Sequence, residues 1–140
     1  MSLIPYDVTQ VREYSVEGDS GEDRTIFLIG RLDYALRNRV FDEASMYSVN
    51  DKGADATATV SVRWHQRNAN IVKFGLKGWK NFKDAQGKEI LFDQVSVAIP
   101  DVGNRKGVSD RCLNLIQPWL AELAREILKD NRLSVEEEKN

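Results

Sequence analysis

Thr25-Ile-Phe-Leu-Ile-Gly30 constrains the fold of this chain more than any other stretch. Its residues are β-branched or aromatic, and its apolar side chains fall on both alternating faces. A strand of that kind belongs inside a sheet, paired on both edges and covered, rather than at a wet margin. The chain must therefore supply it with partners and with cover. The nearest partner is Val11-Arg-Glu-Tyr-Ser-Val16, whose alternation suits a strand and which is separated from it by the turn residues Gly18-Asp-Ser-Gly21. A hairpin of the two is the natural reading, with residues 1–10, which include Pro5, as an irregular lead-in.

Further strands are expected downstream. Thr57 to Trp64 places Val60, Val62 and Trp64 on one face and Thr59, Ser61 and Arg63 on the other, the period of a half-buried strand. Lys88–Phe92 and Ser96–Ile99 read as short strands, the second stopped by Pro100, and residues 101–107 as a polar, glycine-bearing connection. Asp84-Ala-Gln-Gly87 is a tight turn, and Asn50-Asp-Lys-Gly-Ala-Asp55 a loop by composition.

Helical spacing appears between and after these. Tyr34 to Ala44 carries Leu36, Val40 and Ala44 every four residues, with Asp33 as its N-cap. From Asn68 the period becomes helical again: Val72, Gly75, Leu76 and Trp79 share a face, Asn68 or Asn70 caps the start, and Gly78 sits where a helix C-terminus favours a left-handed residue. In the last third, Ser109 is an N-cap and Leu113, Ile116, Leu120, Leu123 and Ile127 form an apolar stripe. Pro118 interrupts that stripe, which predicts a break near Gln117 and a new helix opening at the proline. Residues 131–140 read as an acidic, partly frayed tail. The sum is an α+β fold, with a small antiparallel sheet from the N-terminal half and helices toward the C-terminal half, built as a single domain over residues 1–140.

Composition narrows the function classes. A net charge of −2 over 140 residues gives no overall reason to expect a polyanionic partner. The one cysteine, Cys112, cannot form an intrachain disulfide, and no signal peptide or membrane-length apolar run is visible, so the expectation is a soluble cytosolic protein. The one histidine, His65, lies in no zinc spacing, and Cys112 with His65 lacks an accompanying base or oxyanion motif. The acidic loops around Asp19, Glu22 and Asp23, and around Asp51 and Asp55, lack the register of a calcium loop. No catalytic residue, metal ligand or cofactor site is expected, and the chain is read as not being an enzyme. Gly75-Leu-Lys-Gly78 formally matches the G-x-x-G clamp of nucleic-acid-binding KH domains, with Lys73, Lys77, Lys80 and Lys83 around it and Trp79 and Phe82 available to stack. A KH loop joins two helices, whereas a turn and a strand are expected here, so nucleic acid is the weaker reading. Gly75, Gly78, Trp79, Phe82 and Gly87 are read instead as structural anchors. Trp119, Ile127 and Leu133 exceed what one small core absorbs and are the candidate partner surface.

The order Phe74-Gly-Leu-Lys-Gly-Trp79, Asn81, an Asp84-x-x-Gly87 turn and an apolar segment ending in Phe92 resembles the tail assembly chaperones of long-tailed bacteriophages and prophages. The strand from Thr25 to Leu32 is similar to the phenylalanine-bearing N-terminal strand of that family. The helix through Trp119 and Ile127, followed by Asn131-Arg-Leu-Ser-Val-Glu-Glu-Glu-Lys-Asn140, is similar to its C-terminal helix and Leu-Ser-x-x-Glu close. The loop from Ser48 to Asp55 has no counterpart there. The resemblance implies a non-enzymatic factor in the host bacterial cytoplasm. It would bind the tape measure protein, help recruit tail tube protein, self-associate along an extended client and be absent from the mature virion. The alternative function is a structural virion component of the neck, tail or capsid, with a small nucleic-acid-binding module behind it.

Overall fold

The computed structural model describes residue 3, residues 5–40 and residues 56–130, with side chains in the long central helix from residue 65 onward. The fold is α+β. Strands β1 (Val11–Tyr14) and β2 (Ile26–Gly30) pair antiparallel, with Tyr14 opposite Phe27. Helix α1 covers residues 34–40, with the Asp33 carboxylate accepting from the Leu36 N–H at 3.0 Å as its cap. The predicted continuation to Ala44, the loop at 50–55 and the tail at 131–140 lie outside the described residues.

Helix α2 (Ala56–Gly75) replaces the predicted strand at 57–64. Val60 and Trp64 also stand at helical i,i+4 spacing, so the pattern there serves either period. Both edges of β2 are taken, by β1 and β3, so residues 57–64 are not its partner. A helix that already exists over 65–75 extends by one backbone hydrogen bond per residue with no partner at all. Asn68 and Asn70 consequently lie inside α2 and cap nothing.

The second correction concerns the far end of that helix. α2 stops at Gly75 and β3 (Leu76–Lys80) begins at the next residue, so Trp79 is delivered by a strand and Gly78 is not a helix terminus. β3 completes the sheet in the order β1-β2-β3, antiparallel throughout, with Phe27 opposite Trp79 and Leu28 opposite Gly78. The register then jumps from Gly78 to Leu76, leaving Lys77 as a one-residue bulge. β2 is central, as its composition demands, but its cover is unequal: Phe27 and Ile29 are buried, whereas Ile26 and Leu28 are half-exposed.

β4 (Gln94–Ile99) and β5 (Gly103–Val108) form a second, two-stranded antiparallel sheet. The stretch expected as a polar connection is thus mostly β5. Pro100 ends β4 as expected, and positive φ at Asp101 (64°) and Gly103 (105°) folds the chain back within three residues. Residues 88–92 do not form a full strand. The Asp84–Gly87 turn closes on one bridge, Lys83 with Glu89, with backbone bonds from the Asp84 N–H to the Lys88 carbonyl at 2.9 Å and from the Ile90 N–H to the Phe82 carbonyl at 2.7 Å.

α3 (Asp110–Leu115) starts at Ser109, whose hydroxyl accepts from the Cys112 N–H at 3.3 Å. The chain breaks at Ile116, runs through a 3-10 turn (Gln117–Trp119) with Pro118 in its first turn, and continues as α4 (Leu120–Asp130). Phe27, Ile29, Ile71, Val72, Leu76, Ile116, Leu123 and Ile127 draw the three-stranded sheet, α2 and α4 into one core. Leu32, Leu36 and Phe74 form a smaller cluster against Val97, Ile99 and Val102 of the second hairpin. Among the described residues, no helix is long and apolar enough to cross a membrane.

Candidate functional site

Aromatic side chains that one core cannot fully absorb gather where β3, the 82–92 segment and the Pro118 turn meet. Gly87, at φ 78°, permits the tight turn that brings residues 88–92 back along residues 82–83. The Asp84 carboxylate reinforces it by accepting from the Gln86 and Lys88 N–H groups, each at 2.9 Å. The returning segment places the Ile90 carbonyl 2.8 Å from the Trp79 indole N–H, which fixes that ring. Around it the rings meet edge to face: Trp79 with Phe82 at 4.8 Å, Trp79 with Phe92 at 5.0 Å, and Phe82 with Trp119 at 6.0 Å between centroids. Phe27 closes the cluster from the buried side, 5.8 Å from Phe82.

All four outer rings, Trp79, Phe82, Phe92 and Trp119, are half-buried. They complete the core with one side and show solvent the other. Two further apolar side chains are exposed, Leu91 at 76% and Leu115 at 39%. Both stand beside Arg111, which donates to the Leu91 carbonyl at 2.8 Å and lies one helical turn before Leu115.

The anticipated anchors fall into this arrangement by different routes. Trp79, Phe82 and Gly87 are part of it. Gly75 serves close packing: a Cβ there would stand 2.6 Å from Ile127 Cγ2. Gly78 lets β3 pass beneath Leu28, whose Cδ1 would be 3.2 Å from an added Cβ, and its φ is not left-handed. Of the expected partner surface, Trp119 is half-exposed and belongs to the aromatic cluster. Ile127 is a correction: it is fully buried against Gly75 and the sheet, because α4 turns its apolar stripe inward. Leu133 lies outside the described residues. Phe92 is legible in the sequence only as the end of an expected strand and of the family-like stretch, whereas Leu91 and Leu115 carry no signal of exposure there.

Cys112 is fully buried, with its sulfur 2.9 Å from Asp93 Oδ1, which also accepts from the Ser109 hydroxyl at 2.7 Å and from Arg111 at 2.9 Å. The bonds from Cys112 and Ser109 hold the Asp93 carboxyl below its usual range. His65 is exposed on α2. The Gly75–Gly78 stretch is no loop, since Leu76 between the glycines is fully buried in β3. Among the described residues, no group of three or more His, Cys, Asp or Glu side chains could hold a metal ion. Comparison with protein-family models, curated proteins and solved structures returns no match.

Proposed function

We propose that this chain is a non-enzymatic assembly factor of the tail assembly chaperone kind. It acts in the host bacterial cytoplasm, engaging the tape measure protein and tail tube subunits of a long-tailed bacteriophage or prophage. The reading is supported by the resemblance over residues 74–92 and at the C-terminal helix. The observation that carries it is the half-exposed aromatic surface of Trp79, Phe82, Phe92 and Trp119. Large rings offer much contact area for little lost side-chain freedom. Rings already half-buried have less left to give, which suits a client that must be released when tube subunits take its place.

The test is co-purification of the full chain with tape measure fragments, using two substitutions that divide the surface. Trp119→Ala is expected to weaken binding by about 30-fold, the loss of a contact worth about 2 kcal/mol, while the protein stays folded. Trp79→Ala removes the Ile90 bond and three ring contacts, so it lowers the melting temperature before any effect on binding. Failure to bind any fragment, with normal tails after deletion of the gene, would overturn the reading. Stoichiometric presence in purified virions by mass spectrometry would instead make the chain a structural virion component.

A further inference from the structure

The second hairpin leaves one of its strands open. β5 lies against α2: a Cβ added at Gly107 would stand 3.0 Å from Lys73 Cγ and 3.2 Å from Phe74 Cε1. β4 is the outer strand, and among the described residues nothing pairs with its far edge. Both ends of β4 show which backbone groups face that edge. The Asp93 carbonyl accepts from the Ser109 N–H at 3.2 Å, and the Ile99 carbonyl from the Val102 N–H at 3.1 Å, so both point toward β5. Backbone groups alternate in direction along a strand, and the register runs unbroken from Gln94 opposite Val108 to Ile99 opposite Gly103. The N–H and C=O groups of Gln94, Ser96 and Ala98 consequently point outward.

This edge is unguarded. Natural edge strands are blunted by charge, proline or a bulge. β1 carries Arg12 and Glu13, and β3 carries Lys77, Lys80 and a bulge. Gln-Val-Ser-Val-Ala-Ile has none of these, and a two-stranded ribbon by itself is marginal. Val97 and Ile99 pack on the Leu32, Leu36 and Phe74 cluster, whereas Val95, on the same face of the strand, is 46% exposed.

We propose that β4 pairs antiparallel with β4 of a second copy, joining two hairpins into a four-stranded sheet across a two-fold axis. The outward groups fix the register. Only the alignment centred on Ser96 answers every outward residue with another: Gln94 meets the partner's Ala98, Ser96 the partner's Ser96, and Ala98 the partner's Gln94. On the face that carries Val97, the same alignment lays Val95 against the partner's Val97, giving the exposed valine an apolar neighbour. No charge on either strand opposes the approach. The strand is thus complementary to itself. The pairing uses no residue of the aromatic surface, so it stands or falls apart from the client.

The test is sedimentation equilibrium of the full chain at about 0.1 mM, a concentration suited to so small a contact, where a dimer is expected. Ser96→Lys places two cations directly opposite one another at the axis, beside the Lys106 that faces residue 96 within each hairpin, and should leave monomers. Ser96→Glu mixed in equal amounts with Ser96→Lys should restore the dimer as a mixed pair. Ser96 is exposed, so neither change disturbs the core. Cross-linking under mild oxidation reads the register, Cys112 being buried. Ser96→Cys should give a covalent dimer, since opposed hydrogen-bonded residues stand about 5.5 Å apart at Cα, within disulfide reach. Gln94→Cys should not, because its counterpart lies four residues along the partner strand, about 13 Å away. A monomeric parent overturns the proposal. So does a dimer that survives Ser96→Lys, or one in which Gln94→Cys cross-links as readily as Ser96→Cys.

Discussion

Gly75→Ala tests the junction on which the fold turns, the direct passage from α2 into β3. A methyl at this position would stand 2.6 Å from Ile127 Cγ2, 2.8 Å from Cδ1 and 3.2 Å from Cγ1. Ile127 is fully buried and cannot swing away without displacing the core around it. Forcing an extra methyl into a packed interior costs about 1–3 kcal/mol. Replacing glycine by alanine in a helix returns about 0.5–1 kcal/mol, the lower end applying at a terminal residue. The net expectation is a loss of about 1–2 kcal/mol, or about 4–8 °C in melting temperature for a chain of this size. Ile127→Ala alone should cost about 2–5 kcal/mol through lost burial and the cavity it leaves. That substitution removes all three clashing atoms, so Gly75→Ala in its background should be neutral or stabilising by about 0.5–1 kcal/mol. The two changes therefore couple by about 2 kcal/mol, readable from urea midpoints at constant m-value. Additive losses, or a Gly75→Ala single variant as stable as the parent, would refute the claim that Gly75 exists to admit Ile127.

Gly87→Ala should separate conformational cost from crowding, because φ is 78° and nothing lies within 4 Å of an added Cβ. A loss of about 1 kcal/mol is expected from the left-handed backbone alone, and a stability unchanged within error would show that the turn relaxes. Acid should weaken the attachment of β1 to α4. Burial raises the Glu126 pKa, but the bonds from Arg12 and Lys129 outweigh it and leave the carboxyl below its usual range. Asp33, bonded by the Leu36 N–H and Arg105, is lowered likewise. A carboxylate with a depressed folded pKa contributes stability above its unfolded value, about 4.3 for glutamate, and loses it as pH falls through the folded value. Glu126→Gln should lower stability near neutrality and make the acid limb shallower; an acid limb of unchanged slope in urea titrations would count against this account.

The parts of this protein legible in its sequence are those set by local chemistry. Composition alone makes β2 a central strand, and Ser109 and Asp33 announce themselves as caps because short polar side chains satisfy the free N–H groups of a first helical turn. Pro118 breaks the C-terminal stripe wherever the rest of the chain lies, since its missing N–H and fixed φ act locally. Gly87 and Asp84 specify their turn for the same kind of reason. Only the tertiary structure decided which segments pair and what is left uncovered. Residues 57–64 alternate like a strand but join a helix, and β2 takes its second neighbour from Leu76–Lys80 instead. Residues 103–108 are too polar to advertise a strand, yet β4 supplies the hydrogen bonds that make one. Ile127 has the look of a surplus hydrophobe until Gly75 is seen to make room for it. The aromatic surface was half legible, through Trp79, Phe82 and Trp119. Phe92 joins it only through the turn that brings residues 88–92 back along residues 82–83. Exposure is a property of neighbours, and neighbours distant in sequence are assigned by packing, which no local pattern of residues records.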